Sequence, residues 1–330
     1  MKMAKQNTNT DRRSLQDCGG FSSAEYHSVG LSGGKDSSAL LLLMLEKGMP
    51  IDSVIFADTG MDFPEMAAHI AKLDALLYRE RGIHITTLRH PHGFEWLMFD
   101  EPKQKPSCLE RRARLGVPPY GNGWPGIKVR WCTGQLKTHL IAKEVNRLKK
   151  EKNALHYVGI AADEPARIKD EIYPLAEWGI TEAQALKICY DRGFDWNGLY
   201  EIYHRCSCWC CPFQRIGELK NLRCYHPELW ARLRELDKRA LDQFGHSALG
   251  RFKDNWNVEQ LEHRFAAEDA ARKEAEMEQD KSKEIRDMLK GVPPKNVIIA
   301  VDDLPPKTLE QHLKDRQKGQ KKPQKRKKGR

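Results

Sequence analysis

Apolar and polar positions along the first two thirds of the chain follow two alternating rhythms. Short apolar runs at Tyr26–Leu31, Ser53–Ala57, Ile83–Leu88 and Leu155–Ile160 have strand length. Between them, Asp36–Lys47, Met66–Arg81 and Leu136–Lys150 space their apolar residues as helices do. Strands alternating with helices predict βαβ units and a parallel sheet, an α/β Rossmann-like doubly wound fold. Residues 90–127 break the rhythm with Pro118-Pro119-Tyr120-Gly121 and Trp124-Pro125-Gly126, and read as a long irregular functional loop. A further helix is expected over Thr181–Arg192 with Thr181 as its N-cap. Helical spacing returns at Glu218–Phe244, a highly charged helix follows at Glu259–Lys290, and Asn296–Val301 reads as a late strand.

These elements divide the chain into four segments. Residues 1–25 form a polar, flexible arm, and 26–215 the α/β domain. Residues 216–290 are a helical C-terminal extension, and 291–330 hold the late strand and a disordered basic tail. At 330 residues the chain is long enough for a sizeable core. No apolar run approaches the roughly 18–20 residues of a membrane span, and the polar N-terminus has no signal-peptide core. The expectation is a cytoplasmic protein without a membrane partner. Nine cysteines in such a compartment point to metal or redox chemistry rather than disulfides.

The net charge of +10 is unevenly placed. Eleven Lys and Arg lie between Lys307 and Arg330 against Glu310 and Asp315, leaving 45 basic and 44 acidic residues elsewhere. A basic block of this kind contacts nucleic acid or serves as a solvated tail. The aromatic loop around Tyr120 and Trp124 is the expected place for target choice.

The main chemical signal is Ser32-Gly33-Gly34-Lys35-Asp36-Ser37-Ser38, between the first strand and the first helix. Gly33 and Gly34 let backbone N–H groups approach an anion, and the helix N-terminus adds its positive dipole end. Ser32, Ser37 and Ser38 add hydroxyls and Lys35 a cation, which makes a phosphate cradle. It is not a Walker A loop, because Val29 stands where the first Gly belongs and Asp36 follows the Lys. Ligands of a doubly wound sheet lie beyond the carboxyl ends of its strands. Asp58-Thr59-Gly60 follows the second strand, suited to bind adenosine or order Mg²⁺. Gly159 to Arg167 follows a later strand and offers Arg167 for phosphate or sulfate. The second signal is Arg205-Cys206-Ser207-Cys208-Trp209-Cys210-Cys211-Pro212. Cys208 and Cys211 have C-x-x-C spacing, and Cys132, at a helix start among cations, is the best remote ligand. Cys132, Cys208, Cys210 and Cys211 are the candidate set, with Cys206 in reserve, for a 4Fe–4S cluster or, alternatively, zinc. Cys189 reads as core, and Cys108 as a loop thiol.

Ser32-Gly33-Gly34-Lys35-Asp36-Ser37 resembles the PP-loop of the ATP pyrophosphatase superfamily. With Asp58-Thr59-Gly60, Phe63-Pro64-Glu65 and Pro174-Leu175-Ala176-Glu177-Trp178, the chain resembles the phosphoadenosine-phosphosulfate (PAPS) reductase family over about residues 25–215. Gly159–Arg167 aligns loosely with that family's substrate motif, with Ala161 and Pro165 departing from it. No cysteine follows Cys224, so the family's C-terminal E-C-G-L-H nucleophile segment has no counterpart. The clustered cysteines are more similar to the branch containing phage proteins and DNA-phosphorothioation sulfurtransferases. The resemblance implies ATP or a PAPS-like adenine nucleotide with Mg²⁺, Lys35 and Asp36 at the reacting phosphates, an iron–sulfur cluster, and sulfur transfer to a nucleic acid, with a sulfur-donor protein as a further partner. The alternatives are a genuine PAPS or adenylyl-sulfate reductase with a relocated thiol such as Cys108, and a nucleic-acid-binding accessory protein with a degenerate nucleotide site.

Overall fold

The computed structural model describes residues 25–290, apart from Lys128, Ser207, Asp254, Asn255 and the side chain of Leu289. The N-terminal arm with Cys18, the strand expected at Asn296–Val301 and the basic tail lie outside the described residues. The elements run β1 (Tyr26–Leu31), α1 (Lys35–Glu46), β2 (Ser53–Asp58), α2 (Pro64–Arg81), β3 (Ile85–Arg89), α3 (Gly93–Phe99) and α4 (Pro106–Leu115). A short α5 (Trp131–Thr133) leads through a π-helical turn, Gly134–Thr138, into α6 (His139–Lys152) and β4 (Ala154–Val158). Then come α7 (Pro174–Glu177), α8 (Glu182–Asp191), α9 (Leu199–Ile202), α10 (Ile216–Tyr225), α11 (Pro227–Phe244) and α12 (Val258–Leu289).

The four strands make one parallel sheet in the order β3-β2-β1-β4. Val29 lies beside Val54 on one side and Tyr157 on the other. Successive side chains of a strand point to opposite faces, so each strand feeds two layers. Val29, Leu31, Val54 and Tyr157 join the large core that contains α1. Ile55 and Ala154 instead pack with Val145 and Leu148 of α6. Helices thus cover both faces, and the fold is α/β Rossmann-like. Leu40 to Met44 are all buried, so α1 is apolar on every side. It is enclosed between the sheet and α8.

Local chemistry explains the boundaries. Pro64 and Pro106 occupy first helical positions, while Gly82 and Gly116 end α2 and α4 in the left-handed conformation. Thr181 caps α8 in a capping box with Gln184, as expected. Two stretches differ from the sequence reading. Residues 90–127 contain α3 and α4 and are not continuously irregular. Their order comes from Arg112, a buried guanidinium that donates to the carbonyls of Pro118, Tyr120 and Gly121. The helix expected over Glu218–Phe244 breaks at His226, because the following proline disfavours helical backbone there. The break is fixed by Tyr203 Oη on His226 Nδ1 and Glu65 Oε1 on Nε2, each at 3.0 Å.

The chain divides into two compact units, residues 1–265 and residues 266–330. The first holds the sheet and α1 to α11, and Asp237 of α11 is one of its anchors. This carboxylate accepts the Trp124 indole N–H at 2.9 Å and the Val258 N–H at 2.6 Å. Burial raises its pKa to about 6. In the second unit, the described helical residues expose nearly all their side chains.

Three histidines are buried in the first unit with lowered pKa values. Desolvation is the leading cause for His27, His69 and His156, and it brings His69 down to about 3. His69 is also sandwiched against Trp196, with ring centroids 4.2 Å apart. An unfolded histidine binds its proton below about 6.5, whereas folded His69 resists protonation down to about 3. Stability from this group is therefore complete above pH 6.5 and is lost as pH falls toward 3, by about 1.4 kcal/mol per unit at most. Chemical denaturation at pH 7.5 and 5.5 is expected to show this slope, reduced in His69→Gln. A slope unchanged by the substitution would place the acid sensitivity elsewhere.

Candidate functional site

The loop between β1 and α1 holds Gly33 at φ +79°, a conformation that favours glycine. Ser37 is buried and ties the loop together: its Oγ lies 3.0 Å from the donating Ser32 N–H and 3.1 Å from the Gly34 carbonyl. Ser32 Oγ lies 2.9 Å from it, on an exposed residue. Ser38 does not join this group. Its hydroxyl is buried against His69 Nε2 at 2.8 Å, which corrects the expectation that it faces an anion in the loop. Two residues far along the chain grip the loop from outside. The Trp196 indole donates to the Gly33 carbonyl at 2.8 Å, and Tyr200 Oη accepts the Lys35 N–H at 2.9 Å.

The Lys35 ammonium bonds Asp36 at 3.1 Å and also Glu182. Burial works against its charge, but Glu182 and Asp36 outweigh it and raise the pKa. Asp36 is raised as well, by burial first, which exceeds the opposing pull of Lys35 and is reinforced by Glu182 and Glu164. Carboxylate oxygens of Asp36, Glu164 and Glu182 lie within 4.8 Å of one another. Arg167, from the same turn as Glu164, pairs with it at 2.6 Å. The loop, Gly159 and Arg167 therefore meet at one end of the sheet. Gly159 has a steric role: a Cβ there would sit 2.6 Å from Ser37 Cα and 2.7 Å from its nitrogen. The turn after β4 rests directly on the backbone that opens α1.

The turn after β2 is committed differently. Asp58 accepts the Gly60 N–H at 2.8 Å and pairs with Arg89 at 2.6 Å. Thr59 is buried, accepts the Met61 N–H at 3.1 Å and donates to Asp62 at 3.0 Å. This turn holds the cysteine segment. Cys208 Sγ lies 3.6 Å from Thr59 Oγ1 and 3.8 Å from Asp62 Oδ1, and the Trp209 N–H donates to Met61 O at 3.0 Å. A single bridge between Asp62 and Cys208 completes the seam.

Cys132, Cys208, Cys210 and Cys211 share one electrostatic neighbourhood, with Cys210 influenced by the other three. Burial is the main cause that raises Cys208 to about 12, Cys210 well above its ordinary value and Cys211 upward. Cys206 faces away from that group, toward Tyr200, and burial raises it to about 12. Lys137, on the π-helical turn, looks into the same group, with its ammonium 3.9 Å from Asp62. Burial opposes its charge, yet Cys208, Asp62, Cys132 and Cys211 together raise its pKa. Among the described residues, no three cysteine sulfurs lie within 4.8 Å of one another. Cys108 lies on α4 rather than in a loop, and Cys189 is buried in α8. Trp124 is buried on Asp237 and Phe252, so it offers no surface for a target, while Tyr120 is exposed.

Glu164, Glu182, Tyr200, Trp196, Asp62 and Lys137 were not singled out from the sequence. Glu164 and Asp62 stand inside turns that were, next to the residues chosen. Nothing local marks Tyr200 or Trp196, which reach the loop from more than 160 positions away.

A glycine-rich turn stands at the N-terminus of the first helix of a parallel sheet, with a lysine at its mouth, in an α/β fold of Rossmann-like type. Residues 27–105, from β1 to just past α3, match the phosphoadenosine phosphosulfate reductase domain. An uncharacterised protein of Methanocaldococcus jannaschii is 27% identical over 225 residues, 61% of this chain. The match spans 39% of that protein's length. Among solved structures, the U34-tRNA thiolase NcsA from Methanococcus maripaludis with its 4Fe–4S cluster is 18% identical, covering 68% of this chain and 74% of that one, with a TM-score of 0.32. Among the described residues no helix is long and apolar enough to cross a membrane.

The contact at Gly159 gives a direct test. Gly159→Ala is expected to destabilise the protein by about 1–3 kcal/mol, since the obstructing atoms are backbone. Gly217→Ala, where a Cβ meets open space, is the matched control and should cost nothing. Equal denaturation midpoints for the two variants would show that the turn can move off the loop freely.

Proposed function

We propose that the protein is a PP-loop enzyme that binds ATP or a related adenine nucleotide and transfers sulfur to a nucleic acid with the help of a thiolate-held iron–sulfur cluster. The observation that carries this reading is the seam between the two chemical signals. The Thr59–Asp62 turn, next to the phosphate-loop strand, holds Cys208 through Thr59 and Asp62. Nucleotide chemistry and thiol chemistry thereby share a scaffold.

In this reading the first-turn N–H groups of α1, which have no intrahelical acceptor, meet the pyrophosphate of the nucleotide. Lys35 leaves Glu182 for the phosphates and offsets the charge that builds as the α–β phosphoanhydride breaks. A substrate oxygen attacks the α-phosphorus, pyrophosphate departs, and the adenylated carbon is open to a sulfur nucleophile, which displaces AMP. Asp36, Glu164 and Glu182 provide hard oxygen ligands of the kind Mg²⁺ requires, and the cation would relieve their mutual repulsion and that of the phosphates. Asp36 thus anchors rather than abstracts a proton.

Cys132, Cys208, Cys210 and Cys211 would hold the cluster, which supplies iron able to bind and pass on sulfide. A tetrahedral zinc, with Zn–S near 2.3 Å, needs sulfurs within about 4 Å of one another. Lys137 and Asp62 would stay as a charged pair beside it.

Anaerobic reconstitution tests the thiol assignment. About four irons per chain are expected in the wild type, with loss in Cys132→Ser, Cys208→Ser, Cys210→Ser and Cys211→Ser and retention in Cys206→Ser. Iron-free protein carrying one tight zinc would replace the cluster with a structural metal. Calorimetry with ATP and Mg²⁺ tests the loop: Lys35→Ala is expected to weaken binding by about tenfold, the equivalent of one charge-assisted hydrogen bond. Unchanged affinity would remove Lys35 from the phosphate site.

A further inference from the structure

We infer that Arg130 and Phe213 form a stacking platform for an unpaired nucleobase of the acceptor, at the edge of the cysteine group. The inference rests on the proposed nucleic-acid acceptor and assigns its entry point. Phe213 is 39% exposed, although it follows buried Pro212 in a tightly held turn. The Arg130 guanidinium lies 4.9 Å from the centre of its ring. Arg130 is itself exposed, and among the described residues no carboxylate pairs with it. The pair therefore presents a flat, cationic, π-bearing surface to solvent.

The position of this surface is what gives it meaning. Phe213 stands two positions after Cys211, inside the turn closed by the Gln214 N–H on the Cys211 carbonyl at 3.1 Å, so the ring projects from the segment that carries the thiols. Lys253 fixes the turn by donating to the carbonyls of Pro212 and Gln214, at 2.6 and 2.7 Å, and adds a second positive charge. Just before Arg130, a small turn closed between Gly126 and Val129 exposes Ile127 and Val129. An apolar edge, an aromatic face and the exposed Arg130 guanidinium together fit a splayed-out base with its phosphate better than they fit an acidic or apolar peptide. Bases stack on aromatic rings and on guanidinium planes, and cations nearby accept the backbone. A duplex keeps its base faces covered and cannot use such a platform.

The test uses the full chain and a short single-stranded oligonucleotide carrying 2-aminopurine, with the same sequence as a duplex for comparison, at one fixed salt concentration. Phe213→Leu keeps apolar bulk but removes the π face. It is expected to weaken single-strand binding by about tenfold, to abolish the quenching of 2-aminopurine, and to leave duplex binding and iron content as in the wild type. Phe213→Trp is expected to restore both binding and quenching, and Arg130→Ala to reduce both. Variants that bind and quench like the wild type would overturn the platform while leaving the nucleic-acid acceptor in place. A wild type that binds neither strand form would overturn the acceptor reading and the platform with it. Strong wild-type quenching by the duplex, equal to the single strand, would overturn the requirement for an unpaired base.

Discussion

The loop at the head of α1 depends on being held by groups it does not contain. An isolated Ser-Gly-Gly turn would sample many conformations, and glycine carries the largest entropic cost of ordering. Here the indole of Trp196 and the phenol of Tyr200 each take one backbone group of the loop, Gly33 O and Lys35 N–H. Below it, Gly159 abuts Ser37 at van der Waals limits. The clamp fixes the loop, and with the loop the carboxylates around Lys35. It also commits the Lys35 N–H to Tyr200.

Two cations and three carboxylates crowd together beside the loop. Lys35 and Arg167 face Asp36, Glu164 and Glu182, so the cations are already engaged. In the proposed reading, a phosphate group would draw Lys35 from the carboxylates, and carboxylates left without partners are costly, so an incoming anion would be coupled to an incoming cation. Burial first, and then the repulsion of Glu182 and Glu164, raise the pKa of Asp36.

Much of the fold was legible because period and punctuation agreed. β1 was placed on its observed residues, α1 and α2 lie within two residues of their expected spans, and α8 starts from the threonine expected to cap it. What escaped was decided by long-range partners. The two helices within 90–127 depend on Arg112 and on three carbonyls that no local rule connects to it. The break at His226 had a visible signal in Pro227, overridden by the helical spacing on either side. At the site, the loop and the cysteines stood out through composition, whereas Glu182 looked like an ordinary first-turn acid and Ser38 like another loop hydroxyl. Trp124 looked like a surface aromatic because its partner, Asp237, is 113 positions away.

The π-helical turn at Gly134–Thr138 has a consequence of phase. An α-helix turns by about 100° per residue, and one extra residue in a single turn offsets everything on one side of it relative to the other. Cys132 precedes that offset and Lys137 lies within it, and the two face the same group of thiols. Removing one residue from the turn would leave a longer regular helix and a better set of backbone hydrogen bonds. It would also swing Cys132 away from Cys208, Cys210 and Cys211, or else pull α6 out of register with the sheet face formed by Ile55 and Ala154. The irregular turn is thus a fixed gear tooth between the sheet and the thiols.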